Sequence, residues 1–166
     1  HKDMTGIFYG SSTGTTEALA KQIAQKLGIA ASAVYDVAST PVSETDSYDT
    51  LLFGASTWGY GDLQDDWVDW LEELKQADLS GKKGGLFGCG DIDSYPETFC
   101  DSIGIIYEGL SASGCTFIGA YDPTGYHIKA SRALVDGKLV GLAVDDTNES
   151  DQTPTRLQMW VDAMQA

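Results

Sequence analysis

The stretch Ile7-Phe8-Tyr9-Gly10-Ser11-Ser12-Thr13-Gly14-Thr15-Thr16-Glu17 constrains this chain more than any other. An apolar run, as of a buried strand, breaks into Gly, Ser and Thr residues, and a helical pattern then starts at once. Such a loop can wrap an anion with backbone N–H groups and hydroxyls while the following helix aims its positive end at the same spot. The lysine of a Walker loop is missing, and the glycines do not fall at the G-x-G-x-x-G spacing of a dinucleotide fingerprint. With no Lys or Arg in the loop, a phosphate here would be held by neutral donors, which suits a permanently bound group better than a transferred one. The same residues also fit a Ser/Thr-rich turn that merely caps a helix.

The rest of the chain alternates strand and helix patterns. Thr5 to Tyr9 reads as the first strand, followed by a helix with Leu19, Ile23 and Leu27 on one face and Gly28 as its stop. Ala33 to Val37 reads as a short second strand, and Leu51-Leu52-Phe53-Gly54-Ala55 as a strand buried on both faces of a parallel sheet. A loop from Ser56 to Gln64 leads to a helix with Trp67, Trp70, Leu71 and Leu74 turned inward. Gly84 to Gly88 is the next expected strand, and Phe99, Ile103, Ile106 and Leu110 mark the next amphipathic helix. Thr116 to Ala120 starts a fifth strand, and an apolar run resumes at Val140 to Val144 after Gly/Tyr/Asp-rich sequence. A last helix is expected with Thr153 as N-cap and Pro154 at its first position. This alternation, without an internal repeat or linker, predicts one doubly wound α/β domain spanning 5–166. His1-Lys2-Asp3 before Met4 reads as a tag-like leader, so residues 1–4 are set aside as that remnant and the strand start.

Composition narrows the function. Twenty-five acidic against ten basic residues give a net charge of −15, which would repel nucleic acid and anionic membranes and favour basic protein partners. Three cysteines, Cys89, Cys100 and Cys115, without a C-x-x-C pair argue for a reducing compartment and against a disulfide scaffold or a zinc site. Only two histidines are present, so no metal site is expected. Apolar runs are too short to span a bilayer, and no signal peptide is evident. A cytoplasmic protein, monomeric and without membrane insertion, is the expectation.

In doubly wound sheets ligands sit beyond the carboxyl ends of the strands, at the switch point. Three loops leave such ends: 10–16, 56–64 and 89–96. The second contains Thr57-Trp58-Gly59-Tyr60-Gly61-Asp62, whose Trp is better placed to stack on a flat ligand than to fill the core. The third, Gly88-Cys89-Gly90-Asp91-Ile92-Asp93-Ser94-Tyr95, sets another aromatic in a Gly-rich loop that can approach a ligand closely. A phosphate cradle and two aromatic plates at one sheet edge point to a phosphorylated planar cofactor.

Ile7 to Ile23 resembles the flavodoxin signature, with Ser11-x-Thr13-Gly14-x-Thr16 as its phosphate loop. Thr57-Trp58, Gly88-x-Gly90-Asp91 and Tyr95 stand where that family has its two flavin-flanking loops. Thr124-Gly125-Tyr126, Asp136-Gly137-Lys138 and Val140-Gly141-Leu142-Ala143-Val144-Asp145 resemble the long-chain subgroup. The resemblance runs from about Thr5 to the C-terminus. It implies a five-stranded parallel sheet of order 2-1-3-4-5 flanked by helices, with the last strand split by an insertion at about 121–139. It also implies one tightly, non-covalently bound FMN and one-electron transfer rather than enzymatic turnover. Ser11, Ser12, Thr13, Gly14, Thr15 and Thr16 would then hold the phosphate. Trp58 and Tyr95 would sandwich the isoalloxazine, with Thr57, Gly59, Tyr60 and Gly61 beside it, and backbone groups of Cys89, Gly90 and Asp91 would meet its pyrimidine edge. Thr147 stands where long-chain relatives often carry an acidic residue near the ribityl chain.

Fully reduced flavin at neutral pH is an anion. Stacked aromatics, local carboxylates and the lack of a nearby cation disfavour it, so the carrier is expected to shuttle at low potential between neutral semiquinone and anionic hydroquinone. Asp62, Asp65, Asp66, Asp69, Glu72, Glu73 and Asp78 face only Lys75 in their stretch, and Asp91, Asp93, Glu97 and Asp101 add to the excess. Such an acid-rich rim would steer in basic redox proteins, among them a ferredoxin/flavodoxin-NADP reductase, although some of these acids need only solvate a helix face. In the family, the peptide after the flanking Trp turns its carbonyl toward the flavin when the neutral radical forms. Here that peptide is Gly59–Tyr60, and glycine lowers the cost of the turn. Cys89, with no basic neighbour to lower its pKa, reads as a packing residue.

An FMN-dependent quinone or azo reductase on the same fold is the enzymatic alternative, against which the acid-rich rim weighs by repelling a nicotinamide phosphate. A receiver domain would need acidic residues where Gly10 and Ser56 stand, and a low-mass phosphatase would need Cys-x5-Arg in the phosphate loop.

Overall fold

The computed structural model describes residues 4–58 and 60–165. In chain order the elements are β1 (Thr5–Gly10), α1 (Thr15–Leu27), β2 (Val34–Asp36), β3 (Thr50–Trp58), β4 (Asp62–Leu63), α2 (Asp65–Leu74), β5 (Lys83–Cys89), α3 (Asp101–Gly109), β6 (Thr116–Phe117), β7 (Leu134–Val135), β8 (Lys138–Leu139), β9 (Leu142–Val144) and α4 (Thr153–Met164). Short 3-10 turns fill much of the path between β2 and β3.

β3 is the sheet's axis. Its run Leu51 to Ala55 is buried throughout, as a strand needs when helices cover both faces. The sheet runs β2-β1-β3-β5 with parallel pairing, and β6 and β9 both pair parallel with β5, at its start and at its end. Counting β6 and β9 as two pieces of one strand gives the expected 2-1-3-4-5 order with the split last strand. Both faces of β5 are covered: an ideal Cβ on Gly85 would meet Trp160 and Met164 of α4, and one on Gly88 would meet Ile103 of α3. Positions three apart on a strand point to opposite faces.

The register decides where function can sit. Gly10 pairs with Ala55, Ala55 with Gly88 and Gly88 with Ala143, while Ser56 pairs with Cys89 and Cys89 with Val144. β1, β5 and β9 therefore end within one residue of the same level while β3 runs on to Trp58, and their loops emerge side by side. β1 is flanked by β2 and β3, so the chain reverses direction across the sheet there, which makes the level ends a topological switch point.

Three expectations shift. The stretch 56–64 is not a plain loop: β3 continues to Trp58, and β4 folds back antiparallel on it, Thr57 opposite Leu63 and Trp58 opposite Asp62. The alternation Thr57-Trp58 is too short to announce a hairpin in sequence. Thr153 is the first helical residue of α4, not its N-cap; Gln152 takes the cap position, and the Thr153 hydroxyl donates to Asp146 Oδ1 at 2.6 Å. The strands β2 and β6 are shorter than their apolar runs, because 3-10 turns flank β2 and Gly119 at φ 92° bends the chain after β6.

The insertion is tied down by tyrosines. Tyr126 donates its hydroxyl to Ala143 O at 2.7 Å, its oxygen lies 2.7 Å from that of Tyr121, and the Tyr121 oxygen accepts from Ala143 N. Arg156 of α4 lies 3.8 Å over the Tyr126 ring and pairs with Glu149 at 2.8 Å.

Candidate functional site

The level strand ends surround a cleft of about 250 Å³ lined by Thr13, Thr15, Ser56, Thr57, Trp58, Cys89, Gly90, Asp91, Tyr95, Asp146 and Thr147. Ser12, Trp58 and Asp65 line an adjoining depression of about 340 Å³. The cleft thus gathers Thr13, Thr15, Thr57, Trp58, Cys89, Gly90, Asp91, Tyr95 and Thr147 from the residues that sequence singled out. Ser11, Gly14 and Thr16 belong to the same loop without lining the cleft. Gly59 lies outside the described residues.

The anion end is built from β1 and α1. Ser11 Oγ accepts from Gly14 N at 3.0 Å, which folds the loop into a turn, and Gly14 takes φ 89° to close it, a conformation glycine adopts without strain. No side chain caps α1, so its first amides have no protein partner inside the helix. Thr16 is fully buried beside the Cys89 thiol, and among the described residues no group stands in good hydrogen-bonding geometry to its hydroxyl. An uncapped helix start with a buried, unpartnered hydroxyl and no cation is a set of neutral donors, and it fits a resident phosphate. Gln64, 1 % exposed, supports this loop: its Nε2 donates to Ser12 Oγ at 3.0 Å and to Asp66 Oδ2 at 2.8 Å. Gly10 makes that approach possible, since a Cβ there would lie 2.3 Å from Gln64 Oε1.

The aromatic walls stand on two different loops. Trp58 is 40 % exposed and donates Nε1 to Ser56 Oγ at 3.0 Å; Tyr95 is 36 % exposed. Large apolar rings left open at a strand end are unspent stacking surface. Tyr60 projects into solvent, with its ring edge-to-face with Tyr95 at 5.7 Å, so it bridges the two loops over the rim rather than lining the cleft. Gly61 turns the hairpin at φ 98° and faces Asp101.

Behind the Tyr95 loop lies a fully buried carboxylate, Asp145. Its Oδ2 accepts from Ile92 N at 2.9 Å and Asn148 Nδ2 at 2.8 Å, and its Oδ1 from Thr147 N at 3.1 Å and Asn148 N at 3.0 Å. Asn148 Nδ2 also reaches Asp91 Oδ1 at 2.8 Å. Asp91 takes a further bond from Ser94 N, and these donors hold its carboxyl below the ordinary value, with the Ser94 backbone the largest cause. Gly90 N donates to Val144 O at 2.9 Å, so that amide is committed to the protein. Burial pushes the Cys89 thiol up to about 12, which makes it a packing residue and not a nucleophile, as its neighbours in sequence suggested.

Ser56, Gln64, Asp145, Asp146 and Asn148 went unremarked as site residues in the sequence. The signal for three of them is present: 145–149 is a fourth loop leaving a strand's carboxyl end, beside 10–16, 56–64 and 89–96. Ser56 and Gln64 lie in the loop 56–64, but nothing in the sequence sets Gln64 against Ser12, because only the return of β4 brings it under the phosphate loop. Asp101 is corrected as well. Its acidic stretch places it on the rim, but it is 6 % exposed, and burial raises its pKa. The start of α3 packs against the β3–β4 hairpin, where Thr57 Oγ1 accepts from Ser102 N at 2.9 Å.

A cleft with a neutral anion cradle at one end, two aromatic walls and carboxylates at its edge, set at the switch point of a doubly wound sheet, defines a mononucleotide-binding protein of the α/β class. A family model described as Flavodoxin matches residues 7–160, and the chain belongs to the flavodoxin family. It is 42 % identical over 159 residues to Flavodoxin 1 of Escherichia coli, covering 95 % of this chain and 90 % of that protein. It is 39 % identical over 158 residues to the flavodoxin of Haemophilus influenzae, covering 95 % of this chain and 91 % of that one. The crystal structure of Fusobacterium nucleatum flavodoxin bound to flavin mononucleotide superposes with a TM-score of 0.88 at 27 % identity, covering 99 % of this chain and 98 % of that one. No helix among the described residues is long and apolar enough to cross a membrane, and no group of side chains among them could hold a metal ion.

Proposed function

We propose that this chain carries one electron at a time on a single, non-covalently bound FMN, without turning over a substrate of its own. The observation that carries this reading is the cleft between Trp58 and Tyr95, with Thr13 and Thr15 at its anion end and no Lys or Arg in its lining. The loop from Ser11 to Thr16 surrounds the phosphate with neutral donors. Trp58 and Tyr95 hold the ring system from two sides and exclude water from it. Thr57, Cys89, Gly90 and Asp91 border its polar edge; the Gly90 N–H is taken by Val144, and the missing Cβ of Gly90 makes room for Phe99 and Cys100 behind the loop. Thr147 and Asp146 close the side nearest the ribityl chain. FMN supplies one-electron redox chemistry; the protein sets the cost of each charge. Asp91 and Asp146 in the lining and the exposed carboxylates of Asp62, Asp65 and Asp93 nearby make added negative charge expensive, so the final reduction falls at low potential.

An electron carrier works between redox partners. The exposed acids of α2, Asp65, Asp66, Asp69, Glu72 and Glu73, form a face that suits basic partners, a reductase among them. Asp65 and Asp66 also sit in the first turn of α2, where they stabilise the helix through its dipole.

Anaerobic stepwise reduction, followed by the visible spectrum, tests the reading. The expected outcome is a yellow protein that turns blue and then pale at about one flavin per chain, a stoichiometry that follows from a single cofactor site. A colourless protein that takes up no added FMN would overturn it. Bleaching in one step with unaided oxidation of NAD(P)H would move the assignment to a reductase. Gly59→Ala is expected to lower the maximal blue fraction, since the turn after Trp58 must rearrange in that state.

A further inference from the structure

Aromatic rings form a continuous column from the anion loop to the outer edge of the sheet. The parallel register sets Tyr35 of β2 and Phe53 of β3 on either side of Phe8 in β1, so their rings share one face. Phe8 stacks on Tyr35 with centroids 5.0 Å apart and planes within 10°, and on Trp70 of α2 at 5.7 Å. Trp70 meets Trp67 edge-to-face at 5.0 Å. Trp67 lies against the start of the anion loop, where a Cβ added to Gly10 would come within 2.6 Å of its Cδ1 and 2.3 Å of Gln64 Oε1. Gln64 in turn holds Ser12, which shares a depression with Trp58. Ser12 and Gln64 thus link the indole of the cleft to the buried one.

The two ends of the column differ in chemistry. Trp67 and Trp70 donate Nε1 to the carbonyls of Gly54 and Thr40, at 2.7 and 2.8 Å. A carbonyl is no base, so these indoles keep their protons and can pass electrons only. At the outer strand the hydroxyls of Tyr35 and Tyr48 lie 2.6 Å apart. The bond to Tyr48 raises the Tyr35 pKa most, and the Glu44 carboxylate adds to the rise. Packing alone asks for rings there, not for a phenol pair beside a carboxylate. A phenol that loses an electron gives up its proton, so a base within reach makes Tyr35 the low point of the column.

We propose that the column protects the cleft: an oxidising equivalent that strikes Trp58 is drawn through Trp67, Trp70 and Phe8 and comes to rest on Tyr35. The oxidant is a one-electron radical of the oxygen-derived class, as dioxygen chemistry at a reduced flavin generates; this source alone rests on the reading of the protein as an FMN carrier. The oxidant takes one electron from the Trp58 indole, which releases its N–H proton to water. An electron from Tyr35 then refills Trp58, with Trp70 and Trp67 oxidised and restored in turn and Phe8 serving as the stacked bridge. The Tyr35 hydroxyl proton passes to the Glu44 carboxylate, and the Trp58 nitrogen takes a proton back from water. The phenoxyl left on Tyr35 is repaired at the sheet edge by a small thiol, which gives up a hydrogen atom and becomes a thiyl radical.

Pulse radiolysis of the cofactor-free chain with the azide radical, which oxidises indoles and is reduced to azide, is the test. The indolyl absorption is expected to decay in a first-order step independent of protein concentration, and the phenoxyl absorption to rise at the same rate. Tyr60 and Tyr95 give a phenoxyl background at the cleft, so the column is read against the double variant Tyr35→Phe, Tyr48→Phe, in which the rise is expected to fall to that background. Glu44→Gln keeps every ring and removes the base, and is expected to slow the rise, an effect that loosened packing would not produce. Trp58→Phe is expected to lower the indolyl and phenoxyl amplitudes together. An unchanged rise in the double variant, or in Glu44→Gln should the double variant not fold, would overturn the proposal, as would an unchanged phenoxyl amplitude in Trp58→Phe. Transfer in a chain that takes up no FMN would overturn the carrier reading and leave the column in place; FMN uptake with an unchanged rise in the variants does the reverse.

Discussion

Replacing Asp145 by Ala should loosen the cleft from behind. The carboxylate is fully buried and accepts four bonds, three of them from backbone N–H groups. A hydrogen bond to a charged acceptor contributes about 1.5–3 kcal/mol, and a buried donor left unpaired costs about 1–3 kcal/mol. Thr147 and Asn148 are exposed, so their amides turn to water in the variant and recover most of their loss. Ile92 is 3 % exposed, and its N–H has nowhere to turn. Relief of a buried charge offsets part of the total. The expected destabilisation is therefore about 3 kcal/mol, dominated by the Ile92 amide. With a urea slope near 2 kcal/mol/M, the unfolding midpoint of the cofactor-free protein drops by roughly 1.5 M. The same bonds hold the Tyr95 loop against 145–148, so FMN affinity falls too, by about tenfold for each 1.4 kcal/mol of loop ordering that binding must now supply. Asn148→Ala, which removes only side-chain bonds to Asp91 and Asp145, should cost about 1 kcal/mol. A midpoint shift below about 0.3 M for Asp145→Ala, with FMN affinity unchanged, would refute the argument, because a net slope near 2 kcal/mol/M could not then hide an orphaned buried amide.

Other outcomes follow from the same geometry. Asp101 holds its proton to higher pH in the folded chain than in the unfolded one, mainly through burial, so its contribution favours folding below the ordinary value of 3.8 and is lost as pH rises through the raised folded value. Asp101→Asn should flatten that part of a stability–pH curve measured by urea titration; an unaltered slope would speak against the buried carboxylate. Burial holds Cys89 at about 12 and Cys115 at about 11, and raises Cys100 as well. A thiol-specific disulfide reagent at pH 8 should therefore leave the native thiols largely unreacted and titrate all three after denaturation; rapid native reaction of Cys89 would contradict its placement. Gly54→Ala would drive a Cβ to 2.1 Å from the Phe87 ring between two central strands, and should cost at least about 1–3 kcal/mol by thermal or urea unfolding. A neutral effect would mean that the ring can move aside.

The alternation of apolar strands with amphipathic helices was legible in the chain because each signal is local. Leu51 to Ala55 can bury on two faces only in a covered parallel sheet, and Trp67, Trp70, Leu71 and Leu74 share one face of a helix whatever else the chain does. The neutral Ser/Thr loop and the two exposed aromatics were legible for the same reason, since a backbone cradle and a ring at a strand end are written in consecutive residues. What tertiary structure alone decided depends on register and return paths. The pairing of Ser56 with Cys89 and of Cys89 with Val144 brings a fourth loop to the cleft, and with it Asp145 and Asn148, about fifty residues distant from the partners they hold. The hairpin through β4 puts Gln64 beneath the phosphate loop, and the insertion turns Asp101 from an apparent surface charge into a buried one. Sequence shows a polar residue's chemistry, but its burial and its partners are set by segments far along the chain.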